Sequence, residues 1–314
     1  MGRTALQALK FALATAAVYL LFFLFLVKVR IGDRPVLLRT NDYYQTKGGV
    51  SSMKFQEWSA DSTYDVLVIG SSHAYRGYDP RVFKERGHRM FNLGTSAQTP
   101  LSSYAVLKAY VDPGRTPLVI FDVYESAFDH PGVESVSDLI LNMSDDGAAL
   151  GLVMDFRDLR GLNMFAYRML EKGSPPTWVL RDYVGHGAAI SPDSARADVR
   201  YPRPRPFHMD DRQLARFLDC LDLCAERGIR VVLSSHYYPQ QGERARHRRF
   251  RHELDSVLTH RQGPAPLWID LAETAGIDDH DHFCDHNHLN AAGARRFTGQ
   301  LIDSLEAHGL LARP

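Results

Sequence analysis

The chain has 314 residues, 45% of them hydrophobic and 24% charged, which suits a globular body large enough for its own core. Lys+Arg and Asp+Glu balance at 37 each, so no net field draws nucleic acid to it. Three cysteines exclude a disulfide framework; Cys220 and Cys224, one helical turn apart in an amphipathic stretch, read as small apolar core residues.

The first element is an uncharged run from Phe11 to Val27, about 17 residues and near the lower limit for spanning a bilayer. Bulky Leu and Phe continue up to Lys28-Val29-Arg30 with no small-x-small cleavage site, so residues 1–30 are expected to form an uncleaved membrane anchor. Basic residues flank both ends, and charge alone does not orient it. Residues 31–62, with Gly48-Gly49 and Ser51-Ser52, read as a juxtamembrane linker into a domain over 63–314.

That domain opens with strand–helix alternation. Asp65–Ile69 is a short apolar strand, and Asp79-Pro80 is a helix start, with Gly87 at its close. Met90–Leu93 is a second strand ending at Gly94, and Thr99-Pro100 opens a helix carrying Tyr104, Leu107 and Val111. Pro117–Val123 is a third strand. Between about 126 and 208 the pattern weakens, and this stretch reads as an insertion.

Asp210 or Asp211 caps a helix with apolar residues at Leu214, Phe217, Leu218, Leu221 and Cys224, ending at Gly228. Ile229–Leu233 and Leu267–Leu271 are the fourth and fifth strands, and a last helix bearing Phe297, Leu301 and Leu305 follows Asn290. The basic run from Arg244 to Arg251 reads as the solvated face of a helix. The expected fold is a three-layer α/β/α domain around a parallel five-stranded sheet, preceded by one transmembrane helix. Such sheets gather their functional groups at the carboxyl ends of strands. Gly70-Ser71-Ser72, Gly94, Asp122-Val123-Tyr124 and Ser234-Ser235-His236 all fall there.

A serine hydroxyl needs a base within hydrogen-bond reach, and that base needs a third group to fix its tautomer. Ser72 follows a strand and precedes a helix, where a sharp turn presents its Oγ. Asp285 and His288 are three residues apart, so one turn can supply both orienter and base. Asn290 then caps the next helix. The stretch His280, Asp281, His282, Cys284, Asp285, His286, His288 is rich in metal-ligand types, but its spacing matches no ordered metal motif, and ligation would remove the base.

These residues resemble the blocks of the SGNH (GDSL-type) hydrolase superfamily. Its strand followed by Gly-Asp-Ser stands here as Gly70-Ser71-Ser72, a register that selects Ser72 as nucleophile. Its second block matches Phe91-Asn92-Leu93-Gly94, and its last matches Asp285-x-x-His288-Leu289-Asn290.

The resemblance implies catalysis by Ser72, His288 and Asp285 without a cofactor or metal. It implies an oxyanion hole from the N–H groups of Ser72 and Gly94. The family's third block usually supplies an Asn to that hole, whereas this chain has Phe121-Asp122-Val123-Tyr124-Glu125, so the Tyr124 hydroxyl is the expected substitute. Ser71, His73 and His236 are expected at the substrate.

The Ser-for-Asp variant is similar to envelope acyl-transfer members. It implies an acyl ester or glycan substrate outside the cytoplasmic membrane and an acyl-exporting membrane partner, with hydrolysis and transfer both open. A non-catalytic assembly or glycan-binding subunit is the alternative that the missing Asn motivates.

Overall fold

In the computed structural model, residues 2–58, 62–196, 198–203, 205–241, 244–263 and 265–312 are described. A five-stranded sheet is built from β1 (Val66–Ile69), β2 (Met90–Asn92), β3 (Leu118–Asp122), β4 (Arg230–Ser235) and β5 (Leu267–Asp270). All its pairings are parallel, in the order β2-β1-β3-β4-β5. The chain therefore moves outward from β1 in one direction and then returns past it. The resulting switch point lies between β1 and β3, where open parallel sheets leave a crevice at their carboxyl ends.

Alternation along the strands divides the core in two. Leu67, Ile69, Val119, Phe121 and Leu233 face one apolar layer, while Val66, Val68, Leu118, Ile120 and Val232 face the other. Because both faces are covered, the strands are continuous apolar runs. The second layer is closed by α3 (Ser72–Gly77), α4 (Pro80–Glu85) and the C-terminal α11 (Ala291–Ala307). Asp79 caps α4 through the Arg81 N–H at 2.9 Å, and Asn290 caps α11 through the Gly293 N–H at 3.0 Å. From α11, Ala294, Phe297, Leu301 and Leu305 are buried at helical spacing.

The first layer carries α5 (Pro100–Tyr110), α9 (Asp211–Glu226) and α10 (Arg244–His260). Asp210 is the cap of α9, and Cys220 and Cys224 are buried on its inner stripe.

Three stretches hold more structure than their sequence suggested. The stretch 31–62 is part of the body rather than a simple connector. It forms a short 3-10 turn at Val36–Arg39 and a helix, α2 (Gly49–Glu57), and it buries Leu37, Leu38, Val50 and Phe55; residues 59–61 of it lie outside the described residues. Its Lys54 is fully buried and donates to the backbone oxygen of Gly94.

The stretch 126–208 is also folded. It holds α6 (Val133–Asn142), α7 (Asp146–Phe156), α8 (Leu159–Leu170) and a small hairpin, Tyr183–Gly185 with Ala188–Ala189. The hairpin covers the free edge of β2, where the Asn92 N–H donates to the His186 oxygen at 2.9 Å. The basic run on α10 is not wholly solvated, because Arg246 and His247 point inward.

The N-terminal α1 (Arg3–Lys28) buries Phe23 and Val27 in the body, with Leu26 partly buried beside them. Among the described residues it is one helix long and apolar enough to cross a membrane.

Candidate active site

The turn after β1 is set by Gly70. Its φ is +149°, and a Cβ there would lie 2.7 Å from the Cβ of Asp122 on β3. Only glycine lets the two strand ends approach so closely. Ser71 Oγ then accepts the His73 N–H at 3.3 Å and caps α3, leaving half-buried Ser72 as the first helical residue. Ser71, expected at the substrate, is buried with its hydroxyl turned to the helix end.

From the far end of the sequence, α11 is clamped against α3 and α4. The Asp79 N–H donates to Thr298 Oγ1 at 3.0 Å, and the Thr298 hydroxyl donates to the Gly77 oxygen at 3.1 Å. The turn leading into α11 is wound around one carboxylate. Asp285 Oδ1 accepts the N–H groups of Asn287 and His288 at 3.0 and 2.8 Å, and Oδ2 accepts His288 Nδ1–H at 2.8 Å. The other ring nitrogen, Nε2, meets Ser72 Oγ at 2.8 Å.

Burial works against the Asp285 charge, but the bond and charge of His288 and the two backbone N–H groups outweigh it and hold the carboxyl below its ordinary range. With Nδ1–H fixed on Asp285, Nε2 is the acceptor for the serine proton. The arrangement can activate a hydroxyl.

Around this relay the polar groups are unevenly satisfied. The Gly94 N–H, expected to face an oxyanion, is taken by Asn92 Oδ1 at 3.0 Å, while Asn92 Nδ2 donates to the Ala74 oxygen at 2.8 Å. Asn92 precedes Gly94 by two residues and folds back on it, so that donor is spent inside the protein. The Ser72 N–H, at the first helical position, has no intrahelical partner.

Tyr124 packs its ring 4.0 Å from the His73 centroid, and its hydroxyl meets Asn287 Nδ2 at 3.5 Å. Burial and then neighbouring Glu125 push the phenol up to about 12, so it stays a hydrogen donor. Asn287 was not singled out by sequence reasoning, although its place between Asp285 and His288 was the available signal.

His73 and His236 are buried, with centroids 4.1 Å apart and His73 5.1 Å from His288. Burial, reinforced for His73 by the neighbouring imidazoles, keeps both neutral: His236 is lowered to about 3, and His73 lies well below its ordinary value. His236 Nε2 lies 3.4 Å from the Asn287 oxygen and braces the turn that carries the base. Both ring nitrogens of His73 lack a hydrogen-bond partner among the described residues. A small cleft of about 40 Å³ opens here, lined by His73, Tyr124, Tyr201, Tyr238, His286 and Asn287 among others.

Behind the cleft lies an ionic network that the sequence did not reveal. Fully buried Glu125 accepts the Tyr238 hydroxyl. Arg246 Nη1 donates to Ser126 Oγ at 2.8 Å and lies 4.0 Å from Glu125, and the same guanidinium pairs with Asp129. His247 Nδ1 is 3.8 Å from Glu125, and its Nε2 is 3.2 Å from both oxygens of Asp270. Burial opposes the charge on His247, but Asp270 and Glu125 outweigh it and raise the imidazole to about 9.

No family model matches the chain, and no curated protein matches it. Several solved structures are similar to it over much of its length. A Bacteroides fragilis protein described as an acylhydrolase is 11% identical, with 82% of this chain and 95% of that one covered at a TM-score of 0.43. A GDSL-like lipase from Bacteroides thetaiotaomicron is 11% identical over 76% and 87%, at 0.39. A family 3 carbohydrate esterase from Talaromyces cellulolyticus is 10% identical over 78% and 98%, also at 0.39.

Proposed function

We propose that the chain is a serine-dependent ester hydrolase or O-acyltransferase of the SGNH kind, tethered to a membrane by α1 with its body outside the cytoplasm. The observation that carries this reading is the relay Ser72–His288–Asp285, with both links at 2.8 Å.

In the first step Ser72 Oγ attacks the carbonyl carbon of an acyl ester while His288 Nε2 takes the serine proton. Asp285 holds the imidazole and offsets its positive charge. The carbonyl oxygen becomes an oxyanion facing the Ser72 N–H and the Tyr124 hydroxyl. As the tetrahedral centre collapses, the C–O bond to the leaving alcohol breaks and His288 returns the proton to it. Acyl-Ser72 remains. Water or a sugar hydroxyl then repeats the sequence in reverse, so hydrolysis and transfer share one intermediate.

His73, His236 and Tyr124 form the wall of the cleft beside this carbonyl. A glycan of the cell envelope fits the tethered body as acceptor or ester, and a membrane protein that exports activated acyl groups is its natural supplier. Intact-mass measurement after exposure to an activated acetyl ester tests the proposal: one acyl group should add to the wild-type chain and none to Ser72→Ala.

A second reading is favoured by the engaged N–H of Gly94. A hole with one fewer backbone donor suits a glycan-binding or assembly subunit that has lost efficient chemistry. Absence of any adduct on the wild-type chain, with activated esters and a fluorophosphonate alike, selects it.

A further inference from the structure

A lysine without exposed surface has given up the water around its ammonium, and other groups must replace that water. Lys54, on α2, is fully buried, and its Nζ donates to the Gly94 oxygen. The Tyr75 ring of α3 has its centroid 5.5 Å from the same nitrogen. Asp138 on α6 attracts the ammonium, but its oxygens are already engaged. Oδ2 accepts the Ser51 hydroxyl at 2.6 Å and the Ser96 N–H at 3.3 Å, and Oδ1 accepts Asn142 Nδ2 at 2.9 Å. The ammonium is therefore directed at the Gly94 carbonyl.

The Gly94 loop in turn holds the catalytic turn at both ends. The Thr95 N–H donates to the Gly70 oxygen at 3.1 Å, just before the nucleophile. Asn92 Nδ2 donates to the Ala74 oxygen at 2.8 Å, just after it. The packing is close: a Cβ at 94 would lie 2.7 Å from the Ala74 Cβ and 2.9 Å from the Gly70 oxygen. A shift of this loop would be passed on to Ser72 Oγ and to the Ser72 N–H. A misplacement of about 1 Å costs about 100-fold in rate.

We infer that Lys54 is a positioning residue of the acyl-transfer site: by holding the Gly94 carbonyl, it keeps the 92–95 loop against the turn that presents Ser72. This rests on the reading of Ser72 as nucleophile. The helix α2 then belongs to the working site, although it lies ahead of the first strand of the sheet.

The grip also depends on a proton. Burial lowers Lys54 to about 7, with Asp138 opposing the shift. Tyr75 and Asp138, which face it from α3 and α6, are both raised by burial. Glu57, on the same helix, is turned away to the Tyr183 hydroxyl and the His186 N–H. Above about 7 the amine becomes neutral, and a neutral donor binds a carbonyl more weakly than an ammonium does. Turnover should fall as the proton leaves.

The test measures kcat and KM of the full chain on p-nitrophenyl acetate, from about pH 5.5 to about 9.5. Wild type should show an alkaline limb with its midpoint at about 7. Lys54→Met, similar in length and uncharged, should lower kcat about 100-fold on the acid side of that limb, leave KM within about twofold and abolish the limb. Asp138→Asn removes the carboxylate that supports the ammonium and should move the limb to lower pH. A Lys54→Met kcat within about threefold of wild type, or a limb that survives in this variant, overturns the inference. So does a limb unmoved in Asp138→Asn, the variant that decides the matter if Lys54→Met does not fold. These outcomes leave the nucleophile standing as long as wild type forms acyl-Ser72. A wild-type chain without the adduct removes nucleophile and inference together.

Discussion

Two partly or fully buried histidines, His288 and His247, are held by aspartates, and only His288 has a hydroxyl on its other nitrogen. At the rim of the sheet, His288 sits between Asp285 and the neutral hydroxyl of Ser72, each 2.8 Å away. Behind the cleft, His247 sits between Asp270 at 3.2 Å and Glu125 at 3.8 Å. A carboxylate on one side and a hydroxyl on the other leave a nitrogen free to receive a proton. Carboxylates on both sides keep the proton in place, and His247 is raised to about 9. The second neighbour, more than the His–Asp pairing itself, decides whether the imidazole does chemistry or holds structure.

The largest effect should come from taking away the hydroxyl. Ser72→Ala should lower ester turnover by about 10⁴-fold or more and abolish fluorophosphonate labelling, read by in-gel fluorescence. Undiminished labelling would move the nucleophile elsewhere. Asp285→Asn keeps the shape of the turn but unfixes the tautomer of His288, and kcat should fall by about 10⁴-fold. A loss of less than tenfold would show that His288 does not depend on its carboxylate.

Tyr124→Phe removes one hydrogen donor at the cleft wall and should lower kcat about 100-fold with KM little changed. An unchanged kcat would remove the hydroxyl from the oxyanion hole and make Asn287→Ala the next variant to measure.

The smallest effect concerns stability alone. The raised pKa of His247 means that the folded protein holds this proton more tightly than the unfolded chain does. Its contribution is therefore complete below about 6.5 and disappears as pH climbs through about 9, a span worth about 3 kcal/mol. Urea unfolding of wild type against His247→Gln should show the difference shrinking over that interval. In Glu125→Gln, NMR should find the His247 titration moved down toward 6.5, as one carboxylate neighbour is gone.

The parts of the fold and site that were readable from sequence were those written in local spacing. Short apolar runs marked the five strands of the sheet, and the three-residue step from Asp285 to His288 contains its own hydrogen bonds. What stayed hidden depends on partners far along the chain. Arg246 read as part of a solvated helix face and Lys54 was not singled out, yet both are buried, because the Gly94 oxygen receives one and Ser126 and Asp129 receive the other. Gly94 had the right place for an oxyanion donor, and the side chain of Asn92 took it. The helices of the 126–208 stretch escaped the reading for another reason. α8 carries most of its large apolar residues (Leu159, Leu162, Met169 and Leu170) on its exposed side, opposite to the arrangement by which a core-facing helix is recognised.

Thr298 stitches the last helix onto the two short helices that follow the first strand. Residue 72 has emerged from the ribosome long before residue 288 is made, so the growing chain carries its nucleophile without a base for most of its synthesis. Competence arrives only when the C-terminus docks, late and in one step. A chain cut short before that point would lack the relay altogether.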